Sequence, residues 1–252
     1  MRQVTVLACR RKDSLAKRSL TDPYVRPMTR GQHEPMTIDT EPRPSTLPRR
    51  ADSLAALMQG RRSVRQFQQK PVERALIEQI LEAARWAPSP HGRQPWRFVV
   101  ITRQETKMRL AQDMGAAWRR NLEMDGQATS VVEIRQEKSR QRILNAPAII
   151  IPCLYLEDLD RYPDEQRQAD ETTMAIQSLG AAIQNMLLMA YDLGLDAGWM
   201  CAPLFCPEMV CDTLSLDKRL IPQAMIAVGY AAADPKRRAR LPLSSLVVYF
   251  EE

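Results

Sequence analysis

The chain has 252 residues, of which 44% are hydrophobic, so it is long enough to bury one sizeable core or two small ones. The net charge of +6 belongs to residues 1–50, which hold 11 Lys/Arg and 5 Asp/Glu, whereas the rest of the chain holds 25 of each. A formally neutral body without a basic and aromatic stripe argues against a nucleic-acid partner. No apolar run reaches the roughly 18 residues of a membrane span, so no membrane association is expected.

The cysteines point to a reducing compartment. There are five, an odd number, and Cys153 and Cys201 have apolar sequence neighbours. We therefore expect small buried thiols in a cytoplasmic protein. Cys201, Cys206 and Cys211 are evenly spaced, but no histidine lies near them, so their spacing predicts no metal site.

The composition divides the chain into two parts. Residues 1–50 contain six of the 18 prolines, many charges and no sustained periodicity, which predicts a disordered or loosely attached leader. Residues 51–252 carry helix and strand patterns throughout and are expected to form one domain.

The first elements of this domain are two helices and a strand. Asp52 is a candidate cap for a short helix that ends with Gly60 as its C′ residue. Pro71 is expected to open a second helix, and aromatic and β-branched residues predict a buried strand over Trp96–Ile101. One face of the second helix is apolar and consists of Leu76, Ile77, Ile80, Leu81 and Ala84.

The middle of the chain predicts a buried strand between helices. Residues 104–121 and 131–144 read as two polar helices, and Ala148–Leu156 is a continuous apolar run that is typical of a buried strand. Glu171–Leu193 is the strongest helical pattern in the sequence. Because this helix is apolar nearly all round, it is expected at the centre of the fold or at a subunit interface.

The last third repeats short strands and one short helix. Leu195–Cys201 and Gln223–Tyr230 predict strands, and Pro207 opens a helix that runs to Leu214. The total is four or five strands and five to seven helices, which predicts an α+β fold.

Arginine clusters are the first candidates for binding chemistry. The nine glycines form neither a dinucleotide-binding fingerprint nor a P-loop, so a bound anion has to be held by side chains. Arginine binds phosphate through two parallel hydrogen bonds, and serine adds another. The alternative is an ordinary solvated basic turn. The candidate residues are Arg61, Arg62, Ser63, Arg65, Arg238 and Arg240.

A proline-rich loop is the second candidate. Pro88, Pro90 and Gly92 predict a tight, stiff connection between a helix and the Trp96–Ile101 strand. Such a loop can hold polar groups against a ligand. The alternative is an ordinary helix-to-strand connection.

Four segments resemble, in order, the motifs of the nitroreductase family of FMN enzymes. The first is Arg-Arg-Ser-Val-Arg-Gln-Phe at 61–67, and the second is Ala-Pro-Ser-Pro-His-Gly-Arg-Gln-Pro-Trp at 87–96. Gly-Leu-Asp-Ala-Gly-Trp-Met at 194–200 resembles the third motif, and Arg-Ala-Arg-Leu-Pro-Leu at 238–243 resembles the last. The resemblance runs from about residue 54 to the end. It implies a sandwich with a central, mostly antiparallel sheet flanked by helices, in an intertwined homodimer.

The resemblance also implies a site at the subunit interface. Arg61 and Ser63 hold the FMN phosphate together with Arg240, and Arg65 faces the pyrimidine edge of the flavin. The loop at 88–90 approaches from the other subunit, and the backbone at 201–202 lies near flavin N5. His91 is a substrate contact or packs within its loop. The remaining implied contacts are Arg62, Pro88, Ser89, Pro90, His91, Cys201, Ala202 and Arg238.

The implied reaction moves a hydride from NADH or NADPH through flavin N5 to a small organic acceptor in a ping-pong sequence. The acceptor is a nitroaromatic, a quinone or an activated double bond, and no side chain is assigned as catalytic. Residues 104–145 lie where the resemblance implies the substrate side of the site, but they carry none of the family motifs, and Gly92 stands where many relatives have asparagine. The alternatives are a non-enzymatic flavin-binding module, a flavin-fragmenting or dehalogenating enzyme, and a relative of the reductase domain of deazaflavin-cofactor maturation enzymes.

Overall fold

The computed structural model describes residues 52–235 and 239–251. The predicted leader at 1–50 and Arg238 therefore lie outside the described residues. Within the described ranges the chain forms six α-helices and one five-stranded sheet, which confirms the α+β class. The helices are α1 (Leu54–Gly60), α2 (Arg74–Arg85), α3 (Gln104–Met124), α4 (Thr129–Leu144), α5 (Glu165–Asp192) and α6 (Pro207–Leu214).

The sheet is antiparallel at every strand pair. Its strands are β1 (Trp96–Ile101), β2 (Ala148–Tyr155), β3 (Asp196–Met200), β4 (Leu220–Pro222) and β5 (Met225–Gly229). The strand order is β1-β2-β5-β3, and β4 pairs with β2 beside this path. The three-residue strand β4 was not predicted, because three residues are too few to show a period.

Strand β2 lies at the centre, and all eight of its residues are buried. Successive side chains of a strand point to opposite faces. Ile150 packs into a cluster with residues of α2 and α5, whereas Ile149 and Ile151 pack into a second cluster with residues of α3, α4 and α6. Helices therefore cover both faces of the sheet, which explains the unbroken apolar run in the sequence.

The ends of α1 differ from the prediction. Ser53, not Asp52, caps the helix, because its Oγ accepts a hydrogen bond from the Ala56 amide at 3.2 Å. Gly60 is the last helical residue and not the C′ residue, and Arg61 takes the C-cap position. A Cβ at Gly60 would lie 2.5 Å from the Tyr191 hydroxyl, so glycine is needed there for close approach to α5 and not for a turn.

Three other helices begin elsewhere than expected, and α4 begins at Thr129, two residues before the predicted residue 131. Helix α2 begins at Arg74 rather than at Pro71, and its predicted apolar face is confirmed. Helix α5 begins at Glu165, six residues before the predicted start, with the Asp164 carboxylate accepting from the Arg167 amide. The first turns of α5 are polar, so the apolar pattern used for the prediction does not extend over them.

Candidate functional site

The first motif lies as an extended segment beside β3. Ser63 forms a parallel bridge with Ala197, and the Val64 amide donates to the Ala197 carbonyl at 2.9 Å. Val64 and Phe67 are buried, whereas Ser63 and Arg65 are exposed. Val64 and Phe67 pack into the same hydrophobic cluster and anchor the segment to the core, whereas the polar residues between them face outward.

Gly198 makes this arrangement possible. A Cβ built on Gly198 would lie 2.1 Å from the Val64 carbonyl oxygen, which is far inside van der Waals contact. The strand and the motif can approach each other only because residue 198 has no side chain.

Ser63 and Arg65 line a cleft of about 870 Å³. Pockets of roughly 300–1,000 Å³ are typical of sites for small molecules. A second wall is formed by α4, and a third by Ala233, Asp234 and Pro235. The sequence predicted the first wall through its motif. It identified α4 only as a polar helix, with no signal that it lines a cleft.

Three arginines come together at one end of the first motif. Burial, then the positive charge of Arg240, and then that of Arg62 lower the pKa of the Arg61 guanidinium. Within the described ranges, none of the three forms an ion pair with a carboxylate. Three positive charges held close together favour a bound anion, so the cluster fits a phosphate group.

Arg62 also stabilises the C-terminal end of α1. Its Nη1 donates to the carbonyl oxygens of Gln59 and Arg61 at 2.5 and 2.7 Å, which caps the end of α1. Its Nε is buried and has no hydrogen-bond partner.

The second motif forms a tight turn with an unusual backbone. Pro90–Gly92 is a 3₁₀ turn, and His91, Gly92 and Gln94 have φ values of 52°, 66° and 49°. The Ser89 hydroxyl accepts from the Gln94 amide at 3.0 Å and stabilises this shape. Left-handed conformations at non-glycine residues are costly and occur often at functional sites.

The location of the second motif differs from that of the first. The turn packs against α5, and Arg93 pairs with Asp160 at 2.9 Å. Among the described residues that line the 870 Å³ cleft, none belongs to the loop at 88–91. The His91 side chain is exposed.

The cysteines follow the prediction only in part. Cys153 and Cys211 are buried, Cys206 is half-buried and Cys201 is exposed. The prediction of a buried thiol was therefore wrong for Cys201, because β3 ends at Met200 and the chain turns outward there. Ala202 is half-buried at the start of that turn, and neither residue lines the 870 Å³ cleft.

Residues 52–235 and 239–251 contain neither a candidate metal site nor a candidate membrane-spanning helix. No group of three or more His, Cys, Asp or Glu side chains there could hold a metal ion. Over the same ranges, no helix has the length and apolar character needed to cross a membrane.

Comparison with known proteins identifies the family. The model of the nitroreductase family matches residues 58–230. An NADH dehydrogenase of Thermus thermophilus is 31% identical over 227 residues, which cover 81% of this chain and 98% of that protein. A solved structure described as a nitroreductase in complex with FMN, from Desulfovibrio desulfuricans, is 27% identical with a TM-score of 0.61, and the match covers 80% of this chain and 98% of that one.

A second solved structure shows the same fold at lower identity. A BluB-like flavoprotein from Clostridium difficile 630 has a TM-score of 0.69 at 23% identity, covering 80% of this chain and all of that one (100%). The order of motifs, the antiparallel sheet between helical layers and the family match agree. The chain belongs to the nitroreductase family.

Proposed function

We propose that the chain is an FMN-dependent oxidoreductase that uses NADH or NADPH to reduce a small organic acceptor. The observation that carries the proposal is the arginine cluster of Arg61, Arg62 and Arg240, which stands at one end of the segment that lines the cleft. Among residues 52–235 and 239–251 it forms no ion pair with a carboxylate. The FMN complex of the Desulfovibrio relative and the name of the Thermus relative support it.

Three residues of the first motif and one of the last have proposed roles in binding. Arg61 and Arg240 hold the phosphate with charge-assisted hydrogen bonds, and the exposed Ser63 hydroxyl donates a further one. Arg65 faces the polar edge of the flavin ring from the wall of the cleft. FMN, when bound, supplies the hydride chemistry, and the protein orients the reactants and excludes water.

One cleft serves both substrates in this proposal. The sequence has no dinucleotide-binding fingerprint, so the nicotinamide donor has no separate domain and leaves before the acceptor enters. Steady-state kinetics with NADH and a quinone should therefore give the parallel lines of a ping-pong mechanism.

A homodimer completes the proposed site. The C-terminal tail exposes a run of large apolar side chains, and such a surface marks an interaction site. We expect these side chains to be buried against a second copy, whose loop at 88–90 then faces the flavin. The exposed side chains are Leu243, Leu246, Val248, Tyr249 and Phe250.

The oligomeric state can be measured directly. An obligate dimer of this kind buries more than about 2,000 Å² in total. Sedimentation velocity of the yellow holoprotein should give a single dimer species. A stable monomer that retains flavin would contradict the dimer and would leave the loop at 88–91 outside the site.

The decisive experiment tests cofactor, donor and residues together. Purified protein should show a flavin spectrum with one FMN per subunit, and NADH or NADPH should bleach it under anaerobic conditions. Arg61→Ala should weaken FMN binding by about 2–4 kcal/mol, because a buried phosphate loses a charge-assisted partner. Arg135→Ala is the matched control, since Arg135 is exposed on α4 and lines no part of the cleft.

Two results would contradict the proposal. Protein that stays colourless in excess FMN would show that FMN is not its cofactor. Protein that binds FMN but is reduced by neither nicotinamide would be a flavin-binding module and not this enzyme.

A further inference from the structure

Helix α4 presents two different ridges to its surroundings. Ile134, Lys138 and Arg142 follow each other at four-residue spacing and line the 870 Å³ cleft. Glu133 and Glu137 form the neighbouring ridge, and they line both this cleft and a second one of about 530 Å³ against α3. The carboxylates therefore stand on the crest between two clefts, whereas Lys138 and Arg142 belong to the large cleft alone.

The charge of Glu137 on this crest is already compensated. Arg140 donates to both carboxylate oxygens of Glu137, at 2.8 and 2.9 Å, and Gln141 donates at 2.7 Å. These hydrogen bonds lower the pKa of Glu137 to about 2. Glu137 is thus a paired ion, and it does not neutralise the cations of the neighbouring ridge.

The two cations on the cleft wall have no such partner. Within the described residues, neither Lys138 nor Arg142 forms an ion pair. Like charges four residues apart on a helix destabilise it by a few tenths of a kcal/mol. Arg65 adds a third positive charge to the lining of the same cleft, which also includes the carboxylates of Glu133 and Asp234.

We propose that Lys138 and Arg142 form an anion subsite that selects substrates carrying a carboxylate, phosphate or sulfonate group. The inference rests on the proposed function, because it assigns the substrate side of the same cleft. The anionic group comes from an acceptor or from the 2′-phosphate that distinguishes NADPH from NADH. In either case the subsite orients the substrate and takes no part in hydride transfer.

The test compares charged and uncharged ligands of matched shape. The ligand pairs are 4-nitrobenzoate with 4-nitrobenzyl alcohol, and NADP⁺ with NAD⁺. The protein variants are the double substitution Lys138→Gln/Arg142→Gln and the control Arg135→Gln, which removes one positive charge from another face of α4. Equilibrium dialysis against oxidised holoprotein gives each Kd without turnover.

We expect the double substitution to raise the Kd of the charged member of at least one pair about tenfold and to change its uncharged partner by less than about twofold. The pair that responds identifies the source of the anion. Raising the salt concentration should erode the preference of the wild-type protein and of Arg135→Gln, because an ionic contact is screened. The double variant should show little preference for the charged ligand at any salt concentration.

Failure of this inference is distinguishable from failure of the proposed function. Unchanged Kd ratios for both pairs would overturn the subsite even if NAD(P)H reduces the flavin normally. If no flavin binds, the same dialysis on the protein as purified still decides whether the two cations select an anion. An equal effect of Arg135→Gln would show a general influence of net charge and would also overturn the subsite.

Discussion

Replacing Gly198 by alanine tests the link between the sheet and the proposed site. The new Cβ would lie 2.1 Å from the Val64 carbonyl oxygen, more than 1 Å short of ordinary contact. Backbone cannot rotate away as a flexible side chain does, so the segment carrying Ser63 and Arg65 has to shift. The shift weakens or breaks the 2.9 Å hydrogen bond that the Val64 amide donates to the Ala197 carbonyl.

The expected cost has two parts. Overpacking a close contact costs about 1–3 kcal/mol, and a lost backbone hydrogen bond costs about 0.5–1.5 kcal/mol. Urea unfolding should therefore show a loss of about 2–4 kcal/mol. FMN titration followed by flavin fluorescence should show weaker binding, because the motif that holds the phosphate has moved.

Gly180→Ala is the matched control. Nothing lies within 4 Å of a Cβ at Gly180, which is inside α5, so alanine there should be neutral or stabilise the helix by up to about 1 kcal/mol. Unchanged unfolding and unchanged FMN affinity in Gly198→Ala would refute the close contact between β3 and the first motif.

Three further outcomes are expected. Burial raises the pKa of Cys153 to about 12, so above pH ~8.5 only the unfolded thiol ionises and the free energy of unfolding should fall with rising pH. Urea titrations from pH 8 to 10 should show a shallower fall for Cys153→Ala than for the wild-type protein. Both carboxylate oxygens of Glu171 are buried without a hydrogen-bond partner, so Glu171→Met should raise the free energy of unfolding by about 1–2 kcal/mol, and a lower Tm would contradict this. Arg65→Leu should lower the flavin midpoint potential by roughly 20–60 mV, because the always-charged guanidinium favours the reduced flavin, which is more negative than the oxidised flavin. Equal midpoint potentials at full FMN occupancy would show that Arg65 does not contact the flavin.

Local patterns were sufficient where one short segment determines its own conformation. The strand Trp96–Ile101 and the helix Pro207–Leu214 have their predicted bounds, because β-branched and aromatic residues or a proline at the first turn act within a few residues. The same holds for the central position of β2, whose unbroken apolar run requires cover on both faces.

Helix ends and isolated thiols were predicted less well. Ser53 and Asp52 are both good caps by residue type, and only the path of the chain selects Ser53. Cys201 follows an apolar strand in the sequence, but the turn at the end of β3 exposes it.

The candidate site depended most on tertiary structure. The four motifs and their resemblance to the nitroreductase family are readable in the sequence, and so is the presence of arginine in two distant segments. The resemblance implies that Arg240 joins Arg61, but no local pattern encodes this, and the course of the C-terminal tail brings the charge of Arg240 to Arg61. The two polar ridges of α4 are equivalent in the sequence, because both are charged and the helix has few buried residues. Packing against α3 turns Glu133 and Glu137 to the crest and leaves Lys138 and Arg142 in the large cleft, since a helix can bury only one side against its neighbour.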